Sequence, residues 1–249
     1  MRSELPQVRI FDVPFCKWGM EQTVAYLTEA VQKRDPHQII TANPIMIMEA
    51  VEKPAFLRIM QQADLVVPDG AGAVWASQKI GQPVAERVAG FDLLHELMQV
   101  GNDKGWSVFL LGAAPEIVME TERKLKEKYP NVRFAGVRDG YFKDEQDEAV
   151  IEQIQSAKPD LLFVARAAAN QEPWIAKYKS RLAVPVMMGV GGSFDVIAGK
   201  LKRAPKPFQR LRLEWLYRLL QEPKRYKRML VLPKFAVKVI REKENMKKQ

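Results

Sequence analysis

Short, continuous runs of apolar and often β-branched residues recur along the chain. They lie at Val8–Asp12, Gln38–Thr41, Leu65–Val67, Ser107–Leu111, Val132–Val137, Leu161–Ala165 and Val186–Val190. Between most of them are longer stretches in which apolar residues return every three or four positions: Glu21–Lys33, Ile45–Glu52, Ala73–Ile80, Phe91–Asp103, Glu116–Tyr129, Glu145–Ala157 and Glu172–Arg181. The first pattern predicts strands covered on both faces. The second predicts amphipathic helices. Their alternation predicts an α/β fold, a Rossmann-like and largely parallel sheet with helices on both faces.

The pattern changes after Gly199. Phe208–Gln221 predicts one helix with Phe208, Leu211, Trp215, Leu216, Leu219 and Leu220 on a single stripe, ended by Pro223. Pro233 then starts or kinks a last helix. If the stretch after Pro223 is helical, Lys227, Lys234, Lys238 and Arg241 share a face, with Leu230, Phe235, Val237 and Ile240 as apolar surface. The expected division is therefore an α/β core, 1–199, and a basic helical appendage, 200–249.

Charge sharpens that division. The chain carries 39 Lys and Arg against 30 Asp and Glu, a net of +9. Residues 200–249 hold 17 Lys and Arg against 4 Asp and Glu; residues 1–199 hold 22 against 26. A mildly acidic body with a basic tail implies an anionic partner for the tail. Basic amphipathic helices with aromatic residues read as membrane-surface binders, each Lys or Arg adding about 1 kcal/mol near an anionic leaflet. Packing of the tail on its own domain is the bland alternative. Nucleic acid is the other, with Trp215, Tyr217, Tyr226 and Phe235 as stacking groups, but the continuous apolar stripe argues against a solvated groove.

A hydrophobic content of 47% supports a sizeable core. A single cysteine, Cys16, allows no intramolecular disulfide and points to a reducing cytoplasm. The first residues lack the apolar core of a signal peptide. No apolar run approaches the roughly 20 residues of a spanning helix. The expectation is a cytoplasmic protein peripheral to the membrane.

Four loops follow strands and face the end of an α/β sheet where ligands bind, among them Gly112-Ala113-Ala114-Pro115-Glu116, which reads as a phosphate-receiving helix N-terminus or a plain turn. In Leu65–Ala76 an apolar run ends at Pro68, and Asp69 precedes Gly70 and Gly72. A carboxylate there is a helix N-cap or a catalytic group. Thr41-Ala42-Asn43-Pro44 reads as a capping turn or a ligand loop. Gly189-Val190-Gly191-Gly192-Ser193-Phe194-Asp195 is rich enough in glycine for backbone N–H groups to approach an anion. Neither GxxxxGK[ST] nor GxGxxG occurs, which disfavours a P-loop enzyme or a dehydrogenase. Two His residues far apart make no zinc site, and no Asp-x-Asp sequence suggests a metal-held sugar nucleotide. No cofactor is expected. Arg87 is a surface charge or a partner for a diphosphate.

These segments, taken in order, resemble the WecG/TagA/CpsF glycosyltransferases. The resemblance rests on TANP at 41–44, PDGAGAVWA at 68–76, ERVAGFDL at 86–93, LLGAAPE at 110–116, NQEPWI at 170–175, GVGGSFDVIAGKLKRAP at 189–205 and LEWLYRLLQEPKRYKR at 213–228. The wording of the Asp69 motif and the tail are most similar to the wall teichoic acid members of that family. The resemblance implies an inverting transfer of N-acetylmannosamine from UDP to the C4 hydroxyl of N-acetylglucosamine on undecaprenyl diphosphate. It implies Asp69 as the base, and Thr41, Asn43 and Gln171 as sugar or substrate contacts. Arg218, Arg225 and Arg228 match tail positions reaching the diphosphates, with Arg87 and the Gly191–Gly192 backbone as further donors. It also implies a homo-oligomer off the membrane and a membrane-bound monomer. A relative using the uronic acid form of the donor sugar is the nearest alternative. One stretch departs from the family's usual GLGxPKQE wording: Arg166, Ala167, Ala169 and Asn170 stand where apolar, Gly, Pro and basic residues are usual.

Overall fold

A computed structural model describes residues 5–211 and 213–247. The elements run β1 (Gln7–Ile10), β2 (Val13–Cys16), α1 (Met20–Lys33), β3 (His37–Ala42), α2 (Pro44–Glu52), α3 (Pro54–Gln62), β4 (Leu65–Pro68), α4 (Ala71–Ile80), α5 (Gly90–Lys104), β5 (Ser107–Gly112), α6 (Pro115–Lys128) and β6 (Arg133–Arg138). They continue with α7 (Asp147–Ala157), β7 (Leu161–Ala165), α8 (Ala168–Leu182), β8 (Val186–Gly189), α9 (Ser193–Ile197), α10 (Lys206–Arg210), α11 (Glu214–Gln221), α12 (Tyr226–Met229) and α13 (Val231–Met246). Six strands form a parallel sheet in the order β4-β3-β8-β7-β5-β6. The expected α/β architecture is thus present.

Alternate residues of each strand supply opposite helix layers, as the two-residue period of a strand requires. Leu161 and Phe163 of β7 join a cluster with α1, α5 and α6, whereas Leu162 and Val164 join one with α7 and α8. Strands so covered have no polar face, which is why they read as unbroken apolar runs. β5 leads outward to β6 and β7 leads the other way to β8, so the winding reverses between β5 and β7. In open α/β sheets the crevice at such a reversal is where ligands bind.

The structure differs from the sequence pattern in three places. Val8–Asp12 is not one strand of the sheet. It is β1 plus a two-residue turn, and β1 pairs antiparallel with β2 as a separate hairpin. Phe11 and Asp12 both have positive φ, 50° and 64°, the geometry of tight hairpin turns that glycine or asparagine usually supplies. Without those residues the turn was invisible. Packing holds it: the Phe11 ring meets Phe235 edge-on at 6.2 Å, and its N–H points at the Met246 sulfur at 3.4 Å. Second, α3 and α9 are additional short helices. Third, the single helix expected over Phe208–Gln221 is two helices, α10 ending at Arg210 and α11 starting at Glu214.

The last helix also departs from its expected surface. Phe235 is 2% exposed and packs, with Val239 and Met246, into the core cluster of β1, β2, α2 and α4. Leu230, Val237 and Ile240 remain exposed. No described helix is long and apolar enough to cross a membrane.

Candidate active site

A cleft of about 880 Å³ opens at the carboxyl ends of the parallel strands. Its floor is made by the loops after β3, β4, β7 and β8, and residues of α11 and α12 form its far wall. Thr41, Asn43, Asp69, Gln171, Gly191, Gly192, Arg218, Arg225 and Arg228 all line it, although up to 187 residues separate them in sequence. Arg87 does not line it. Its guanidinium is bound by Glu214 of α11 and lies 3.8 Å from Asp92.

Asp69 follows β4 directly. Its N–H donates to the Ala42 carbonyl at 2.9 Å, continuing the pairing with β3. Gly70 then turns the chain with φ +95°, a conformation open to glycine and strained for other residues. Both readings of Asp69 meet in an unexpected way. It does not cap α4, the helix that follows it; that cap is Gly70, with no side-chain bond. Its Oδ2 instead accepts the N–H of Gly90, the first residue of α5, at 3.3 Å. The carboxylate therefore sits at the positive end of a helix remote in sequence. A Cβ on Gly90 would fall 2.7 Å from Thr41 Oγ1, so the Thr41 side chain would have to shift. Burial pushes the Asp69 carboxyl up to about 6, while the Gly90 N–H and the Arg87 charge pull it down and Glu214 and Asp92 add to the rise. A carboxylate in that range is ionised at neutral pH yet basic enough to accept a proton.

Asn43 and Gln171 have structural work that the sequence did not separate from binding. Asn43 Oδ1 accepts from Ile45 N–H at 3.0 Å and Met46 N–H at 3.2 Å, so it is the N-cap of α2. Its amide nitrogen makes no hydrogen bond within the described residues and is the group left for a ligand. Gln171 is 4% exposed. Its Oε1 accepts from both Arg166 N–H and Gly191 N–H at 3.2 Å, and its Nε2 donates to Glu172 Oε1 at 3.0 Å. It ties the loop after β7 to the glycine loop after β8. The Gly191 N–H expected to receive an anion is thereby occupied, because Gln171 already takes it. Glu172, 1% exposed, accepts in turn from Gln38 Nε2 at 3.2 Å. Burial pushes its carboxyl up to about 7 against the hydrogen bonds from Gln171 and Gln38.

The far wall comes from the tail. Arg218 lies so close over Gly192 that any Cβ there would meet its guanidinium. Burial and then Arg225 hold Arg218 below its ordinary value, opposed by Glu222. Glu222 pairs with Arg218 at 3.4 Å and Arg225 at 2.9 Å. The wall thus presents a cluster of guanidiniums steadied by one carboxylate, an arrangement suited to a diphosphate. Among the described residues no three His, Cys, Asp or Glu side chains gather as a metal cage.

The description of the glycosyl transferase WecG/TagA/CpsF family fits residues 8–249. The chain belongs to this family. Among relatives of the family, the N-acetylglucosaminyldiphosphoundecaprenol N-acetyl-beta-D-mannosaminyltransferase of Bacillus spizizenii is 42% identical over 203 residues, covering 82% of this chain and 78% of that protein. Proteins of the same name from Staphylococcus aureus strains MW2 and NCTC 8325 are each 39% identical over 249 residues, covering 99% of this chain and 97% of the relative. The family's ordered motifs all fall on the cleft loops or on the helices that bound them.

Sequence reasoning passed over Gly90, Glu214 and the bracing role of Glu172. Gly90 had a signal, as the small residue opening a helix in ERVAGFDL. Glu214 had none: its partner Arg87 is 127 residues away.

Proposed function

We propose that this protein is an inverting glycosyltransferase that moves N-acetylmannosamine from UDP to the C4 hydroxyl of N-acetylglucosamine on undecaprenyl diphosphate, forming a β-1,4 link in teichoic acid linkage-unit synthesis. The names of its relatives support the donor sugar and the acceptor. The observation that carries the chemistry is Asp69 on the floor of the cleft, opposite guanidiniums contributed by the tail.

Asp69 takes the proton of the acceptor hydroxyl as that oxygen attacks the anomeric carbon. The bond from the anomeric carbon to the β-phosphate oxygen breaks, and UDP leaves with the electron pair. Arg218, Arg225 and Arg228 stabilise the charge that grows on the diphosphate. Arg87 acts from behind, through Asp69 and Glu214. Thr41 and the Asn43 amide contact the sugar; Gln171 positions the loops around it. The appendage carries exposed apolar and basic groups to an anionic membrane surface, with the protein peripheral on its cytoplasmic side and oligomeric when free of it. No nucleic acid and no metal enters this reading.

The test is turnover of a donor panel with a short-chain lipid acceptor. UDP is released from UDP-N-acetylmannosamine only when the acceptor is present, and the uronic acid donor is poorer. Asp69→Asn lowers turnover by about 10²- to 10⁴-fold, the range of general-base catalysis, while UDP binding persists. An Asp69→Asn protein with near-normal turnover defeats the base assignment. Because the Asp69 carboxyl lies near 6, the rate rises with pH through about 6 and levels above it.

A further inference from the structure

Of the arginines lining the cleft, three are already paired. Arg203 binds Asp92 at 2.6 Å, and Arg218 and Arg225 share Glu222. Arg166 and Arg228 form no ion pair with any described carboxylate. Arg228 rides on the four-residue helix α12, whereas Arg166 follows the last residue of β7, in the middle of the sheet. Its position is the β5/β7 reversal itself, the crevice where nucleotides bind in doubly wound folds. Ala113 from the β5 side lines the same crevice.

The Arg166 side chain is held in place. Its guanidinium lies 4.5 Å from the centroid of the Phe142 ring, which is 6% exposed. A planar guanidinium laid on a buried ring loses rotamer freedom before any ligand arrives, and it keeps its donor edge for an anion. Its backbone is fixed as well, since Gln171 Oε1 takes the Arg166 N–H together with that of Gly191. An unpaired, pre-placed cation has no acid partner to give up when a ligand binds.

Resting on the glycosyltransferase reading, we infer that Arg166 is a binding residue for the diphosphate of the nucleotide-sugar donor, gripping it from the sheet side while the tail arginines close from the other. The sequence places Ala167, Ala168 and Ala169 next to it, side chains too small to cover the guanidinium. Diphosphate recognition is then divided between a cation of the core and the Glu222-paired arginines of the appendage.

Calorimetric titration of the full chain with UDP and with uridine tests this. Arg166→Ala weakens UDP by about 10- to 100-fold, the span of a charge-assisted hydrogen bond, and leaves uridine unchanged. Arg166→Lys recovers part of the loss. In turnover, KM for the UDP-sugar rises more than kcat falls, and KM for the lipid acceptor stays put. Unchanged UDP affinity in Arg166→Ala overturns the inference. So does an equal loss for uridine, which marks a collapsed loop, or a loss confined to the lipid acceptor, which moves the cation to the other diphosphate. If the unmodified protein binds no UDP, it is the glycosyltransferase reading that fails.

Discussion

The two halves of the appendage are alike in sequence and unlike in fate. Both are basic, both carry apolar and aromatic residues at helical spacing, and both read as amphipathic. In α13 that apolar face enters the core: Phe235, Val239 and Met246 are buried against β1, β2, α2 and α4. From α10 to α12 no described residue is fully buried, and Leu211, Trp215, Leu220 and Tyr226 stay exposed. An amphipathic pattern states that a face wants cover. It does not state what covers it. The anchored half holds its neighbour over the cleft, so that Arg218 rests on Gly192 while the outer side chains remain available to another surface.

This contrast can be broken at several points. Phe235→Ala removes a buried ring beside the Gly72 backbone, 3.6 Å from where a Cβ would sit. It costs about 3–5 kcal/mol of stability, read as a lower denaturation midpoint. Loss no greater than that of a surface change means that α13 is only resting on the core. Removing everything after Gly199 has the same consequence in stronger form, because it uncovers that cluster.

Arg218→Ala acts on the other half. It lowers kcat/KM by about 10- to 100-fold, as expected for a charge-assisted contact to a diphosphate. Thermal denaturation stays within about a degree or two, since its partner Glu222 keeps Arg225. A large drop in stability shows the guanidinium to be a structural tie over Gly192 instead.

The double variant Trp215→Ala, Leu220→Ala changes stability by no more than about 0.5 kcal/mol, because these side chains are 42% and 65% exposed. It weakens sedimentation with anionic phospholipid vesicles several-fold. Retained vesicle binding moves the contact to the exposed stripe of α13, where Leu230, Lys234, Val237 and Arg241 follow at helical spacing.

The smallest effect concerns the brace beneath both halves. The Glu172 carboxyl lies at about 7 when folded, above its ordinary 4.5. The folded state therefore holds a proton more tightly than the unfolded chain. That stability is complete below about 4.5 and is lost as pH rises through 7. Melting temperatures of the unmodified protein fall between pH 5 and pH 8.5, and Glu172→Gln falls less over the same span. Parallel curves remove Glu172 as the source.

The chain's own pattern was enough for the sheet, its flanking helices and the loops that carry chemistry. Strands covered on both faces advertise themselves as apolar runs, and Asp69, Asn43 and the Gly191–Gly192 turn each stand just after one, with Thr41 at the end of β3. Local signals failed where geometry came from distant packing. The Phe11–Asp12 turn has no glycine, because Phe235 and Met246 hold it. The division of the tail into α10 and α11 has no marker that helical periodicity can detect.

Tertiary structure alone decided how the site is wired. Asp69 caps α5 rather than α4, because the fold brings Gly90 to the end of β4. Gln171 holds two loops together, Arg87 is taken by Glu214, and Arg166 has no carboxylate partner among the described residues at the reversal of the sheet. Sequence order fixes which side chains sit at strand ends, since that depends on neighbours a few residues away. Which of those side chains already have partners depends on contacts between different elements, 20 positions apart for Gln171 and Gly191, 21 for Asp69 and Gly90 and 127 for Arg87 and Glu214, and these exist only once the sheet and the tail have closed around the cleft.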